Sequence, residues 1–511
     1  MIKIKWILLF CVFLAGYFLR VVYLSQKSLT FGYDQARDAI VSQQILKKDL
    51  KIQGPPASTP GLYHGVFYYY LLAPAYFFGQ GSPIAAAYWI AFLNAGCIFV
   101  VFYLAYLMTK KISAGILAAI LFAVSFEATQ YATWLSNPTI GVWTVPLMYL
   151  GLWLWITKKN KIAPFLAAIG LGLSVQAEVF LLYHLVPLLL WLWLGRKNVS
   201  KSSLISFGLM FLATISSMVI SEVKFGFKSL SGVVALVSTQ DAIVAAKSLG
   251  DFILLFFNQL GRVFAFNSYP GNVGYGGVLI IALIVVSLIS WSSSKNKESN
   301  ISWQPFLATW LLAHLTVVSV GGTSTPFLLV GIGPAVAIIL GIFLSSWWEK
   351  GQRALFVIVL AILLLGNLLM VTKENPRGST IFAIQKDLLL SKQLNLVDYT
   401  YQKAAGRPFS VNSLTSPLWI NIVWTYLYKW YGLPKYGYVP TWHGHGQEGQ
   451  LDSLAKTKDD TKVYFLILEP MGGIPQRYLA ETIGEEDSFS GFIEEASWGE
   501  LRVQYRQKIQ K

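Results

Sequence analysis

Charge and cysteine are both scarce in this chain of 511 residues. Only 13% of the residues are charged, and the two cysteines, Cys11 and Cys97, lie inside apolar runs. That leaves no disulfide framework and no zinc knuckle. No Walker loop or Gly-x-Ser-x-Gly motif occurs, so P-loop nucleotide binding and serine-nucleophile chemistry have no sequence support. Asp and Glu number 25 against 40 Lys and Arg, a net charge of +15. In a soluble chain that excess would suggest nucleic acid. Here the basic residues recur in short clusters between apolar runs, which is the pattern of membrane topology, and no nucleic-acid partner is expected.

Apolar length is what the chain has in abundance. Its mean hydropathy is +0.54 and 15% of its residues are aromatic, the profile of a polytopic membrane protein. Runs able to cross a bilayer need roughly 17–25 residues. They fall near 6–24, 83–108, 113–131, 139–157, 162–176, 178–194, 203–222, 275–292, 303–320, 326–346 and 353–371. The first follows Lys3 and Lys5 and is interrupted by Arg20, with no small-x-small cleavage site, so it is expected to be a retained span. The clusters Lys110-Lys111, Lys158-Lys159-Lys161, Arg196-Lys197-Lys201, Lys295-Lys297 and Lys350-Arg353 all fall on the side of the N-terminus. That asymmetry places the N-terminus in the cytoplasm of a multi-pass protein of the cytoplasmic membrane.

The expected fold class is therefore an α-helical polytopic membrane protein with about 11 transmembrane helices. Residues 1–372 form the transmembrane domain, with outer loops at 25–82 and 223–274, and 373–511 form a small extracytoplasmic α/β domain. In that domain Pro408–Val411 and Val463–Glu469 read as strands, and Ile381–Leu394 and Leu418–Trp430 as helices. The stretch Val66–Phe78 is apolar but short for a span, and its three tyrosines suit a helix lying at the membrane interface, where Tyr68 and Tyr69 would meet substrate.

Ionisable groups at membrane depth are functional candidates by default. In the first outer loop, Asp34 could take a proton from an acceptor group. Arg37 and Asp38 stand within reach of it if the segment is helical, and Arg37 could either pair with the acids or clamp a phosphate. Glu127, Asn137 and Glu178 stand at outer span ends on the same side, and His64 is the histidine nearest Asp34 in sequence. His443-Gly444-His445 lacks a third ligand at metal spacing and reads as a turn, so no metal is expected. An outward-facing site has no cytosolic nucleotide to draw on, so a donor there would arrive already activated in the membrane.

These residues resemble the GT-C glycosyltransferases of the protein O-mannosyltransferase and lipid A aminoarabinose transferase type. The resemblance rests on Tyr33-Asp34 after the first span, Gly54-Pro55-Pro56, and Tyr63-His64-Gly65-Val66-Phe67-Tyr68-Tyr69-Tyr70. Leu135-Ser136-Asn137-Pro138 and Ile169-Gly170-Leu171-Gly172-Leu173 extend it. It implies transfer of a sugar, with inversion, from a polyprenyl-phosphate donor to a lipid, glycan or protein acceptor at the outer face. It further implies Asp34 as catalytic carboxylate and no cofactor beyond the lipid-linked substrate. The relatives often have Asp-Glu where this chain has Asp34-Gln35, so Asp38 would supply a second carboxylate. They commonly carry a phosphate-binding lysine where Gln176-Ala177-Glu178 stands here, which leaves that work to Arg37, His64 or Arg262. From a different class, a lipid or solute transporter would show inverted repeats and midplane breaks, and neither is evident.

Overall fold

A computed structural model describes residues 2–57, 61–232, 248–269, 276, 301–315 and 326–509. The helices that position the site are α1 (Ile2–Val21), α2 (Tyr33–Leu46), α3 (Phe67–Phe78), α4 (Pro83–Thr109), α5 (Ile112–Val124), α6 (Phe126–Thr133), α7 (Gly141–Lys158) and α8 (Ala163–Ala177). Four helical stretches, Lys5–Gln26, Pro83–Thr109, Asn137–Lys158 and Arg353–Arg377, are long and apolar enough to cross a membrane. The pairs Ile112–Val124 with Phe126–Thr133 and Lys201–Thr214 with Ser216–Lys224 are bent by 54° and 56°, and counting each as one span gives six. Shorter apolar helices occupy Ala163–Ala177, Val179–Leu194 and Gly333–Glu349, where further spans are expected. The expected span at 275–292 lies outside the described residues, apart from Gly276.

The run 113–131, expected as one span, is broken at Ser125, and side chains from elsewhere in the bundle meet groups freed by the break. A broken helix leaves carbonyls and amides without intrahelical partners, and at membrane depth each must be met by protein. Arg20, buried in α1, donates to the carbonyls of Phe122 (3.2 Å) and Ala123 (2.9 Å) at the end of α5, and to Asn94 (2.7 Å). At the start of α6 the Ser125 hydroxyl accepts from the Ala128 amide (3.1 Å), and Asn367 accepts from the Phe126 amide (2.8 Å). The bend turns α6 toward the loop that carries Trp134 and Asn137.

The segment from Leu388 onward forms a five-stranded sheet of order β2-β1-β3-β5-β4, with β1 Phe409–Leu414, β2 Thr441–Trp442, β3 Val463–Leu468, β4 Ser490–Trp498 and β5 Leu501–Lys508. β1 runs parallel to β2 and β3, while β5 is antiparallel to both β3 and β4. This sheet does not stand apart from the first loop. Leu24, Phe31, Ala36, Ile40, Tyr68 and Tyr76 share one apolar core with Leu390, Val397, Trp424 and Phe465. The Leu390 amide bonds Leu29 (2.8 Å), and Gln393 bonds Phe31 (2.8 Å). Two expectations change here. Residues 381–389 form an irregular strap, and the helix runs instead over Leu390–Ala404. The tyrosines of helix 67–78 do not face outward: Tyr68 and Tyr69 are buried against α2, and the exposed residues are Pro74, Phe77 and Phe78. Stacking against α2 removes more apolar ring surface from water than a headgroup layer would.

Candidate active site

Helix α2 begins at a glycine, and Gln35 secures that beginning. Its side-chain carbonyl accepts from the Gly32 amide (2.9 Å), and its Nε2 donates to the Leu135 carbonyl (2.9 Å). The first turn of α2 is thereby tied to the turn after α6. A carboxylate in that turn is also favoured by the positive end of the helix dipole. Helical spacing then sets Asp34, Arg37 and Asp38 against one another. Arg37 Nη1 lies 2.7 Å from Asp34 Oδ1, while its Nε and Nη2 lie 2.8 and 2.7 Å from Asp38 Oδ1. The two acids are not equivalent. The Asp34 side chain is 51% exposed, whereas that of Asp38 is 1% exposed behind the guanidinium. Burial and the Asp34 charge push the Asp38 carboxyl up to about 7, against the pull of Arg37.

Asp34 opens on a cavity of about 680 Å³. Its walls bring together five of the ten sequence candidates: Asp34, Arg37, His64, Asn137 and Glu178. His64 arrives through a tight backbone crossing. The His64 amide bonds the Pro55 carbonyl (2.8 Å), Pro56 bridges Tyr63, and a Cβ on Gly54 would collide with the Gly65 carbonyl. Gln176 holds the other side of that loop, its backbone carbonyl accepting from Gly65 (2.8 Å) and its side chain from Phe67 (3.0 Å). This is the place where the resembled family carries lysine, and here the residue shapes a loop. Burial, reinforced by the charge of Arg37, pushes the His64 imidazole down to about 3, so the ring is neutral. Its Nδ1 stands 3.8 Å from Glu178 Oε1. Asn137 donates to the Ala177 carbonyl, joining the α6–α7 turn to the end of α8.

The other five candidates stand away from this cavity wall. Asp38, Tyr68 and Tyr69 form the layer behind Arg37. Glu127 is buried in the bundle, where Asn267 donates to it (2.6 Å), and Arg262 bonds Gln259. Of the four acidic candidates, Asp34 and Glu178 line this cavity, and Asp38 and Glu127 do not. Tertiary packing also supplies wall residues that sequence reading missed. Phe382 stacks on Tyr131 (4.4 Å) and Trp134 (4.6 Å), and Gln385, Ser416 and Pro417 come from the C-terminal segment. Trp134 adjoins the Leu135-Ser136-Asn137-Pro138 turn and was within reach of a motif reading; the strap 381–385 carries no such signal. Among the described residues, Arg37 is the one cation in the wall.

No family model matches the sequence, and no curated protein sequence matches it. Solved structures do. ArnT from Cupriavidus metallidurans bound to undecaprenyl phosphate aligns over 98% of this chain and 97% of its own, with TM-score 0.57 and 11% identity. The chain has the GT-C membrane fold. The apo form of the same ArnT aligns over 99% and 98%, again with TM-score 0.57, at 12% identity. The archaeal oligosaccharyltransferase AglB from Archaeoglobus fulgidus, in complex with an inhibitory peptide and a dolichol-phosphate, covers 98% of this chain and 74% of its own at 11% identity and TM-score 0.48. With its long apolar helices, the GT-C chain described here is a multi-pass membrane protein.

Proposed function

We propose that this protein is a membrane glycosyltransferase that moves a sugar from a polyprenyl-phosphate donor to an acceptor hydroxyl or amine at the outer face of the cytoplasmic membrane. One observation carries the reading: a half-exposed carboxylate, Asp34, paired to a buried arginine, opens on a cavity in a fold shared with an ArnT solved on undecaprenyl phosphate. In the proposed step Asp34 accepts the acceptor proton while the acceptor lone pair forms the new bond to the anomeric carbon. The bond from that carbon to the phosphate oxygen breaks, and the electron pair leaves with the lipid phosphate. Inversion follows from a single displacement.

Arg37 has a role that its ion pairs make timely. It faces two carboxylates in the resting state. When Asp34 takes the proton it loses its charge, and the guanidinium is left with one counter-ion as negative charge develops on the phosphate. His64, neutral at working pH, contributes an N–H rather than a charge. Trp134 and Phe382 present ring faces suited to the sugar or the first isoprene units. The basic clusters at the far ends of the same helices support an N-terminus on the cytoplasmic side.

The test uses purified protein in nanodiscs with a panel of undecaprenyl-phosphate hexosides and pentosides, measuring release of undecaprenyl phosphate. Turnover by the wild type, and at least about 100-fold less by Asp34→Asn, is expected. Wild-type turnover in that variant would overturn Asp34 as base, and no turnover of any glycoside by the wild type would overturn the transferase reading.

A further inference from the structure

We infer that Gln385, on the strap before Leu390, reads a hydroxyl or amine of the substrate through its side-chain carbonyl, and that Glu469 is the positioning residue that fixes it. The inference rests on the transferase reading above and gives the C-terminal segment a part in substrate choice.

The orientation of the Gln385 amide follows from its partners. Nitrogen and oxygen of a glutamine amide are distinguished by the network around them. Gln385 Nε2 lies 2.8 Å from the Pro470 carbonyl and 3.2 Å from Glu469 Oε2. A carbonyl can only accept, so the nitrogen must face this side and both its hydrogens are committed. The amide oxygen is left pointing the other way, in a residue that lines the cavity, and among the described residues no group donates to it. Such an oxygen selects ligands that can donate an O–H or N–H and rejects those that only accept. A phosphate oxygen is thus disfavoured at this wall, and a sugar or acceptor hydroxyl is favoured.

Glu469 is built into place for this task. It is buried at the end of β3, and besides Gln385 it accepts from the Ser416 amide and the Trp424 indole, each at 3.1 Å. Ser416 lines the same cavity. One buried carboxylate therefore sets both polar groups that the C-terminal segment contributes to the wall. Of the three donors around this acid, two belong to wall residues, so its bonds fix the wall as well as the fold.

The test measures kcat/KM of the full-length protein in nanodiscs on an undecaprenyl-phosphate hexoside that the wild type turns over, beside its monodeoxy analogues. A second arm keeps the donor fixed and compares methyl glucoside with its monodeoxy forms as acceptor. The wild type should disfavour one deoxy position on the order of tenfold, and Gln385→Leu should treat that analogue and its parent alike. Loss of discrimination in the donor arm assigns the hydroxyl to the transferred sugar; loss in the acceptor arm assigns it to the acceptor. Glu469→Gln should weaken the same discrimination and leave other positions unchanged. Gln385→Ala serves if the leucine variant does not fold. A wild-type enzyme that turns over the parent but shows no preference, or a Gln385 variant that keeps the wild-type profile in both arms, overturns this role and spares the transferase reading. No turnover by the wild type overturns both.

Discussion

The two walls of the cavity are made in different ways. One is local: Asp34 and Arg37, with Asp38 behind them, lie within five residues on α2, and their relation is fixed by helical spacing. The other is remote: Gln385 and Ser416 meet the first wall only because residues 388–505 share a core with residues 24–90. The first wall carries charge and the second carries oriented neutral dipoles. A reaction that develops charge needs the former, and a choice among polyhydroxylated substrates needs the latter. The difference predicts that changes to the first wall cost rate or stability, while changes to the second redistribute specificity.

The sharpest way to break this contrast is Asp34→Asn. Removing the proposed base should lower turnover by about 10²–10⁴-fold. Because the side chain is half exposed, the melting temperature in detergent should hardly move. Arg37→Ala comes next, and here stability is the readout. It strands the buried carboxylate of Asp38 without its partner, a loss on the order of 3–5 kcal/mol, to be seen as a lower denaturation midpoint.

The second wall has its own signature in pH. Burial raises the Glu469 carboxyl from 4.5 to about 7, against three opposing donors. The folded state thus binds this proton more tightly than the unfolded one. Its contribution is fully present below pH 4.5 and is lost as pH rises through about 7, a difference of about 3 kcal/mol by linkage. Wild-type thermal stability should therefore fall between pH 5 and 8, and the fall should be smaller in Glu469→Gln. An equal fall in both would remove Glu469 as its source. The smallest expected effect separates backbone from side chain in the loop that delivers His64. An added Cβ at Gly54 meets the backbone of His64 and Gly65, whereas one at Gly65 meets side-chain atoms of Gln176. Gly54→Ala should reduce turnover more than Gly65→Ala, by a few-fold.

The sequence carried the first wall well and the second hardly at all. Asp34, Arg37 and Asp38 could be read together because charged residues in an apolar chain are conspicuous and their spacing is helical. Glu127 was conspicuous for the same reason, yet it is satisfied inside the bundle by Asn267, a partner 140 residues away that no local pattern announces. Residues 381–389 looked amphipathic enough for a helix, and instead stretch across the cavity, because the strap bonds the sheet at Pro470 and Glu469. Gln35, which departs from the acid of the resembled family, proved to cap α2 and anchor it to Leu135. The membrane character and the GT-C fold were legible from run lengths and the loop motifs together, whereas the break at Ser125 depended on Arg20, more than 100 residues earlier.

The shared core between the C-terminal sheet and the first loop also imposes an order on biosynthesis. Asp34 is among the first residues to be made, and Gln385 and Glu469 are made after most of the chain is already in place. A chain that stops short of β3 holds Asp34, Gln385 and Ser416 but lacks Glu469, and lacks the β3 and β5 side chains of the core behind them. Completion of the cavity wall and completion of the apolar core behind it are therefore one event, reached only when the last strands are made.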